Sequence, residues 1–333
     1  MKKAIYNAAL IGCGKIGSEF AEDLRLKGTF THADAYEACK NTQLVAVCDV
    51  DQMKLEKCGK LRGITALYND AGKMMAEQKP DIVSICAPDA NHYEMIQLVL
   101  KSPDVRAVLV EKPLALSMRE AQDVVRLSHR RNIVLTVNYM RRYAPGLIEL
   151  KSAIHRGKIG SVQAVTGLYS KGTLHNGTHW FDMARFLVGE VVQVIGVDSR
   201  RERGEDPTLD ASLRFESGAS GCLLGCDSKA YAIFEMDIVG TEGRIRITDS
   251  GHRLEWQAVG QHPRYNGLRS LLPDKEITDG GIKDVLLLVV KDIVACLETG
   301  RKPCCSGDDA VAALRIALAI VESAKSGSTV TLV

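Results

Sequence analysis

The chain has 333 residues, a length that exceeds one ordinary hydrophobic core and fits two domains. Its composition, 46% apolar and 25% charged, is that of an average globular protein, and its net charge of +2 gives no basic excess that would predict a nucleic-acid partner. The longest apolar runs have six residues, far short of the roughly 20 that a membrane span needs, so we expect no membrane partner either.

Short apolar runs alternate with amphipathic stretches over the first part of the chain, which is the pattern of a parallel sheet with crossover helices. We therefore predict a doubly wound α/β domain over residues 1–138. The predicted strands cover residues 4–11, 43–48, 66–68, 82–86, 105–110 and 133–137. The predicted helices cover residues 16–26, 53–61, 71–78, 93–100 and 118–130.

The pattern changes after Asn138, where we predict a second α/β domain over residues 139–333. Successive strands joined by short turns between residues 191 and 259 favour an antiparallel or mixed sheet. Residues 261–281 are rich in Gly, Pro and Asp and predict a loop, and the final residues are expected to pack back on the first domain. The remaining predicted elements are a strand at 162–169 and helices at 146–156, 179–187, 283–298 and 308–325.

The ten cysteines are scattered, with neither a Cys-x-x-Cys pair nor the spacing of a metal site. Cys48 and Cys86 fall within apolar runs, where a free thiol behaves as a small hydrophobe. We therefore expect free thiols, no bound metal and a reducing, cytoplasmic setting.

A Gly-x-Gly-x-x-Gly segment follows the first predicted strand and opens the first predicted helix, the context that gives this motif its meaning. Gly12 permits a tight turn, Gly14 lets a diphosphate approach the backbone, and Gly17 lets helix and strand pack closely. The helix N-terminus would supply N–H donors to the diphosphate. The predicted cofactor turn consists of Gly12, Cys13, Gly14, Lys15, Ile16 and Gly17.

Asp49 ends the second predicted strand, where a carboxylate can accept hydrogen bonds from ribose hydroxyls and repel a 2′-phosphate. This favours NAD over NADP. Asp49 lies 32 residues beyond Gly17, farther than the usual spacing of about 20, which an insertion at residues 27–40 would explain. A merely exposed Asp49 is the alternative, and the nearby Lys54 and Lys57 leave NADP open.

Glu111-Lys112-Pro113 follows the fifth predicted strand, at the carboxyl edge where ligands of such sheets bind. Removing a hydride from a carbinol carbon requires that the hydroxyl proton be taken up. A lysine can take part in that transfer, and its ammonium group stabilises the developing alkoxide. On the residues alone, a surface lysine is the more frequent role for such a position.

Taken together, several segments resemble the Gfo/Idh/MocA family of oxidoreductases across nearly the whole chain. They are GCGKIG at 12–17, AVCD at 46–49, SICAPDANH at 84–92, EKP at 111–113, NYMRRY at 138–143, GTHWFD at 177–182 and the closing stretch from residue 300. The resemblance implies a Rossmann domain and then an α/β domain with a large, mostly antiparallel open sheet that often mediates oligomerisation. We therefore expect a homodimer or homotetramer. It also implies that Lys112 is the catalytic lysine and that Pro113 is cis.

The resemblance further implies that His179, at the start of a helix, donates or accepts the substrate proton, a role that an ordinary imidazole pKa near 6.5 suits. Many relatives carry Asp, and some Asn, four residues earlier, where this chain has His175. A second imidazole cannot fix a lysine as a carboxylate would, so we expect His175 to contact substrate. Asp182 either orients His179 or faces the helix exterior.

Two weaker candidates for substrate binding are Arg142, which could grip an anionic or hydroxylated group, and Tyr169, which ends a predicted strand. A side chain that packs in the core, or one that only faces solvent, would explain either residue equally well. The loop after the fourth predicted strand would face the nicotinamide ribose, although Asn91 and His92 also fit a plain helix start. The further predicted cofactor contacts are Cys86, Ala87, Pro88, Asn91, His92, Glu111 and Lys112.

These features predict an NAD(H)-dependent oxidoreductase in which Lys112 and His179 carry the proton. Its substrate would be a small polyol, with the hydride exchanged at a secondary hydroxyl or ketone of a sugar, inositol or nucleotide-linked sugar. One alternative is a biliverdin-type or other non-sugar reductase of the same family. The other is a dinucleotide-binding regulatory protein without catalysis, which the replacement of the common carboxylate by His175 would allow.

Overall fold

A computed structural model of the chain describes residues 4–332 except residues 24, 27 and 203. Its packing divides the chain into two compact units. The first unit comprises Met1–Tyr143 and Lys283–Val311, and the second comprises Ala144–Ile282 and Ala312–Val333. Residues 139–143 and 283–311 therefore group with the first unit, although they lie beyond the predicted boundary at Asn138. The final residues, 312–333, group with the second unit.

The strands are β1 (Tyr6–Ile11), β2 (Thr42–Cys48), β3 (Leu67–Tyr68), β4 (Ile82–Ile85), β5 (Ala107–Val110), β6 (Val134–Val137), β7 (Val162–Ser170), β8 (Val191–Val197), β9 (Asp210–Phe215), β10 (Ser220–Cys226), β11 (Phe234–Gly240), β12 (Gly243–Thr248), β13 (Arg253–Gln261), β14 (Arg269–Asp279) and β15 (Val330–Thr331). The helices are α1 (His32–Ala38), α2 (Gln52–Arg62), α3 (Ala71–Gln78), α4 (His92–Lys101), α5 (Met118–Arg130), α6 (Pro145–His155), α7 (Thr178–Val188), α8 (Val285–Thr299) and α9 (Gly307–Ser326).

The first unit contains a parallel sheet with the strand order β3-β2-β1-β4-β5-β6, six strands among the described residues. Every residue of β4 and β5 is buried, as expected for central strands covered by helices on both faces. The order reverses between β1 and β4, so the carboxyl ends of these strands form the crevice in which such sheets bind ligands. The predicted doubly wound domain is confirmed.

The predicted helix at residues 16–26 is wrong. After one turn, in which Ser18 N–H bonds the Gly14 carbonyl, the chain forms a short 3₁₀ segment and leaves the helical path. It returns at α1, where the N–H groups of His32 and Ala33 bond the carbonyls of Ile16 and Gly17 at 3.0 and 3.1 Å. The insertion expected at residues 27–40 therefore interrupts the helix earlier, between residues 18 and 31.

The second unit is built on a sheet of nine strands within the described ranges, in the order β14-β13-β12-β11-β7-β10-β9-β8-β15. Neighbouring strands are antiparallel except β7 and β10, which confirms the predicted mostly antiparallel sheet. Helix α7 crosses β7 closely, because a Cβ on Gly167 would lie 2.1 Å from Nε1 of Trp180. That indole N–H donates to the Glu235 carbonyl at 3.0 Å.

The predicted loop at residues 261–281 is wrong in its second half, where β14 pairs antiparallel with β13. The sequence misleads because Pro273 and the nearby Gly and Asp residues read as breakers. As an edge strand, β14 tolerates a proline, which lacks a backbone N–H, and only one side of the strand needs partners. None of the helices within the described part of the chain is long and apolar enough to cross a lipid bilayer.

Candidate active site

The glycine turn after β1 leaves space only at its centre. Gly12 adopts φ +98°, and a Cβ there would lie 2.5 Å from the carbonyl oxygen of Cys86. A Cβ on Gly17 would lie 2.1 Å from the Gly12 carbonyl oxygen, whereas one on Gly14 would meet nothing within 4 Å among the described residues. A diphosphate can therefore lie against the backbone at Gly14. The rest of the turn is the buried Cys13, the exposed Lys15 and the half-buried Ile16.

Asp49 lies directly beside this turn. Its Oδ2 accepts the N–H of Cys13 at 2.7 Å, and its Oδ1 accepts the N–H of Asp51 at 2.9 Å. An ionised carboxylate only accepts hydrogen bonds, so its remaining lone pairs suit ribose hydroxyls. Val50 and Met53, which the sequence analysis missed, are 89% and 80% exposed and offer an apolar surface next to that carboxylate. These residues fit the adenosine half of NAD.

His92, the first residue of α4, is fully buried. Its Nδ1 lies 2.6 Å from the carbonyl oxygen of Pro113, and its Nε2 lies 2.9 Å from that of Ala87. The ring therefore joins the loop after β4 to the segment after β5 and is not open to a ligand. The helix-start interpretation of His92 is the one that the structure supports.

The other predicted rim residues lie on the same loop with graded exposure. Cys86 and Ala87 are half-buried, whereas Pro88 and Asn91 are exposed and so accessible to a cofactor. Burial, together with the negative charge of Glu111, raises the pKa of the Cys86 thiol well above its usual range. Cys86 is therefore a neutral thiol at physiological pH.

Glu111 and Lys112 follow β5, and the peptide bond between Lys112 and Pro113 is cis, as expected. Lys112 is only 8% exposed, which is unusual for a lysine. Oε1 of Glu111 lies 3.0 Å from Nε2 of His32 and accepts the Asn138 side-chain N–H at 2.5 Å. Burial raises the pKa of Glu111, but the hydrogen bonds from His32 and Asn138 and the charge of Lys112 lower it, and the net shift of the pKa is downward.

Arg142 has a structural environment that contradicts its predicted role in gripping substrate. Its side chain is buried, and its Nη1 donates to Asp309 Oδ1 at 3.0 Å and to the Cys304 carbonyl at 3.4 Å. This burial and internal ion pair assign Arg142 a structural role within the first unit. Burial lowers the pKa of the neighbouring Arg141 to about 10, which leaves that residue charged at neutral pH.

In the second unit, a π-helical turn at Gly172–Gly177 leads directly into α7 and carries the two candidate histidines. His175 on the turn is exposed, and His179 in the first turn of α7 is half-buried. Asp206, which the sequence analysis missed, holds this turn. Its two carboxylate oxygens accept the N–H groups of Leu174 and His175, each at 2.8 Å. Burial raises the pKa of Asp206 despite these bonds.

Tyr169 and Asp182 are both enclosed. The Tyr169 hydroxyl donates to the Leu209 carbonyl at 2.7 Å and lies 3.0 Å from Thr173 Oγ1, and its ring is fully buried. Burial also raises its pKa, so it is a protonated packing residue, and its predicted contact with substrate is wrong. Asp182 is 1% exposed, so the interpretation that it faces the helix exterior is wrong as well.

An open glycine turn, a carboxylate beside it and a doubly wound sheet define a dinucleotide-binding domain. Residues 6–139 match the family model described as "Oxidoreductase family, NAD-binding Rossmann fold", and residues 151–332 match "Oxidoreductase family, C-terminal alpha/beta domain". The chain belongs to the Gfo/Idh/MocA family and is an NAD-binding oxidoreductase.

Similar proteins match over the full length of the chain. The D-apiose dehydrogenase of Paraburkholderia graminis is 26% identical, over 98% of this chain and 90% of that protein. The myo-inositol 2-dehydrogenase of Thermotoga maritima is 24% identical, over 97% of each. The fold is shared with the WlbA dehydrogenase from Bordetella pertussis in complex with NADH and UDP-GlcNAcA, with a TM-score of 0.79, 21% identity and 99% of each chain covered.

Proposed function

We propose that this protein transfers a hydride between the nicotinamide of NAD and a secondary hydroxyl or ketone of a sugar, an inositol or a nucleotide-linked sugar. The observation that carries the proposal is the enclosed Lys112 at the carboxyl edge of the sheet, next to the ionised Glu111. The substrate class is supported by the similar proteins, which are named as D-apiose and inositol dehydrogenases.

The proposed chemistry divides between hydride and proton. Bound NAD supplies the hydride acceptor, or as NADH the donor. Lys112, as an ammonium group, donates a hydrogen bond to the substrate oxygen and stabilises the negative charge that develops there as the C–H bond breaks. In oxidation, the hydroxyl proton passes through Lys112 to His179 while the C=O bond forms, and in reduction it returns. We propose that His175 contacts substrate and that Asp182 orients His179.

We also propose a preference for NAD over NADP. Asp49 presents a negative charge where a 2′-phosphate would need a positive one. The two nearby lysines that could bind the 2′-phosphate of NADP both have carboxylate partners. Lys54 lies 3.7 Å from Asp51 Oδ2, and Lys57 lies 2.5 Å from Glu22 Oε2. A lysine that is paired with a carboxylate attracts a phosphate less strongly than an unpaired lysine does.

The second unit is proposed to carry the substrate face and an oligomer contact. Val197 on β8, 51% exposed, is paired with Asp210 on β9, and Leu224, 46% exposed, lies on β10, the next strand of the sheet. Exposed apolar side chains on an open sheet favour burial by another copy, so we propose a homodimer or homotetramer, which light scattering after gel filtration would show. We place the protein in the cytoplasm, where thiols such as the buried Cys13 stay reduced.

The test is the variant Lys112→Met, assayed against a panel of inositols, pentoses, hexoses and nucleotide sugars with NAD, and against the corresponding ketones with NADH. We expect turnover of the active substrate to fall by at least 10³-fold, while NADH fluorescence still reports binding. The matched control is Lys101→Met, which removes an exposed lysine at the end of α4 and should leave turnover unchanged. Undiminished turnover in Lys112→Met would refute the assignment.

The two alternatives have their own outcomes in the same experiment. Biliverdin is included in the panel. If it is the one panel member that supports NADH oxidation, the substrate is a tetrapyrrole and not a sugar. Tight binding of labelled NADH without transfer of the label to any panel member would support a regulatory protein. The polar, exposed His175 favours catalysis on a hydroxyl-rich substrate over the tetrapyrrole reductase and over the regulatory protein.

A further inference from the structure

A buried histidine contacts Glu111, the residue before the proposed catalytic lysine, and has no part in the hydride or proton steps above. His32 begins α1 and is fully buried. Its Nδ1 lies 2.9 Å from Ser84 Oγ on β4, and its Nε2 lies 3.0 Å from Glu111 Oε1 after β5. Both ring nitrogens therefore have side-chain partners that lie more than 50 residues away in sequence.

The chemistry of these partners fixes the direction of the hydrogen bonds. Glu111 is ionised and can only accept, so Nε2 of His32 carries a proton and donates. In the neutral imidazole, Nδ1 then accepts from the Ser84 hydroxyl, which in turn lies 2.7 Å from the Tyr36 hydroxyl. Burial raises the pKa of Tyr36, so the phenol stays protonated and can donate. The result is a chain of donors from Tyr36 through Ser84 and His32 to the Glu111 carboxylate.

The last member of this chain is adjacent to the lysine. Glu111 Oε2 accepts a hydrogen bond from the backbone N–H of Lys112, with 3.4 Å between the oxygen and the nitrogen, and the charge of Lys112 lowers the pKa of Glu111. The other groups that face Glu111 are the Asn138 amide, which donates to the same oxygen as His32, and the neutral Cys86 thiol. Of these neighbours, His32 is the one that also contacts Ser84 on β4.

We propose that His32 is a positioning residue for Lys112: it holds the Glu111 carboxylate ionised and fixed, and that charge keeps the lysine in its ammonium form between turnovers. The inference rests on the proposed role of Lys112. His32 also ties this arrangement to the cofactor turn, because its backbone N–H bonds the Ile16 carbonyl at 3.0 Å. The alternative is a histidine that only fills the core.

A core-filling role and a positioning role differ in what happens to Lys112. Without the donor at His32, Glu111 keeps its burial but loses its strongest stabilising contact, so it takes up a proton more readily or turns away. Lys112 then loses a neighbouring negative charge, and its ammonium form becomes less favoured. The loss of one nearby opposite charge shifts the pKa of an ionisable group by about one unit or more.

The experiment measures the titration of Lys112 directly and needs no substrate. Wild type, His32→Leu, His32→Gln and Ser84→Ala are acetylated with trace acetic anhydride between pH 6 and pH 11, and each labelled lysine is quantified by peptide mass spectrometry. We expect the midpoint for Lys112 to fall by about one unit in His32→Leu, which is about tenfold faster labelling below the midpoint. His32→Gln retains an N–H donor and should shift the midpoint less. The exposed Lys101 is the internal control and should not move.

The outcomes separate this inference from the proposed function. A Lys112 midpoint that is the same in wild type and in folded His32→Leu would overturn the inference. Should His32→Leu not fold, an unshifted midpoint in Ser84→Ala, which removes the hydroxyl that holds Nδ1 of His32, would overturn it equally. Turnover by Lys112→Met bears on the proposed function alone. With an active substrate, the alkaline or acidic limb of kcat/KM in His32→Gln should move with the labelling midpoint, which uniform loss of activity would not reproduce.

Discussion

The substitution Asp49→Asn tests the adenosine end of the cofactor site with almost no change in side-chain shape. The carboxylate accepts the N–H groups of Cys13 and Asp51 at 2.7 and 2.9 Å. An amide has one oxygen in place of two, and it carries no charge. We therefore expect weaker hydrogen bonds to the ribose hydroxyls and the loss of the repulsion that disfavours a 2′-phosphate.

Two contributions set the magnitude. A hydrogen bond to a charged group contributes about 1.5–3 kcal/mol against about 0.5–1.5 for a neutral one, so NAD binding weakens by about 1 kcal/mol. Removing a like-charge contact at a water-exposed site favours NADP by at least about 1 kcal/mol. The ratio of the two dissociation constants should then move by about 2 kcal/mol, or about 30-fold, toward NADP.

The assay is fluorescence titration with NADH and with NADPH at one ionic strength. The matched control is Asp81→Asn, because Asp81 also accepts a backbone N–H, that of Asn7 at 2.9 Å, but precedes β4 at the opposite edge of the sheet. We expect its ratio to stay at the wild-type value. A ratio in Asp49→Asn that lies within twofold of wild type, or an equal change in Asp81→Asn, would refute this account of Asp49.

Three further predictions concern residues whose surroundings the structure defines. Arg142→Met should lower stability by about 2 kcal/mol, because it removes an ion pair with the partly buried Asp309, and it should leave KM unchanged. A raised KM with an unchanged melting temperature would instead indicate that Arg142 contacts substrate. Asp206→Asn should leave one backbone N–H of the histidine turn without an acceptor, so kcat should fall about tenfold while NADH affinity stays constant, which stopped-flow and titration would separate. Glu111 has a pKa below its ordinary 4.5, so its contribution to stability is present above pH 4.5 and lost as pH falls through the folded-state value; acid unfolding of Glu111→Gln should lack that part of the pH dependence.

The parts of the fold that could be predicted from the sequence are those that local pattern determines. Short, mostly apolar runs such as β4 and β5 that alternate with amphipathic helices are typical of central strands. In the turn after β1, Gly12 and Gly17 leave no room for a Cβ. The first helix was misplaced although a signal for it exists. Thr31 and Asp34 form a capping box, with each side chain bonded to the other's backbone N–H at 3.1 Å, and this marks the start of α1.

The site residues that sequence reasoning missed depend on contacts between distant parts of the chain. His32 and Glu111 are separated by 79 residues, and Asp206 lies 31 residues from His175, whose backbone it holds. No periodicity or motif spacing encodes such pairs. The reverse error affected Tyr169, whose position at the end of a predicted strand suggested a ligand contact, whereas its hydroxyl bonds a carbonyl oxygen within the core.

The segment inserted between residues 18 and 31 interrupts the first helix but leaves the cofactor turn intact. Arg62 at the end of α2 contacts both sides of the break: its guanidinium donates to Ser18 at 3.4 Å and to Thr31 Oγ1 at 3.3 Å, and it pairs with Asp34 at 2.7 Å. Lengthening a loop is cheap once its ends are held, since each doubling adds only about 0.6 kcal/mol of closure entropy. Because this arginine and the bond from His32 N–H to the Ile16 carbonyl hold the ends together, the helix resumes beside the turn it left. The insertion therefore changes the surface of the domain while His32 still reaches the carboxylate next to the lysine.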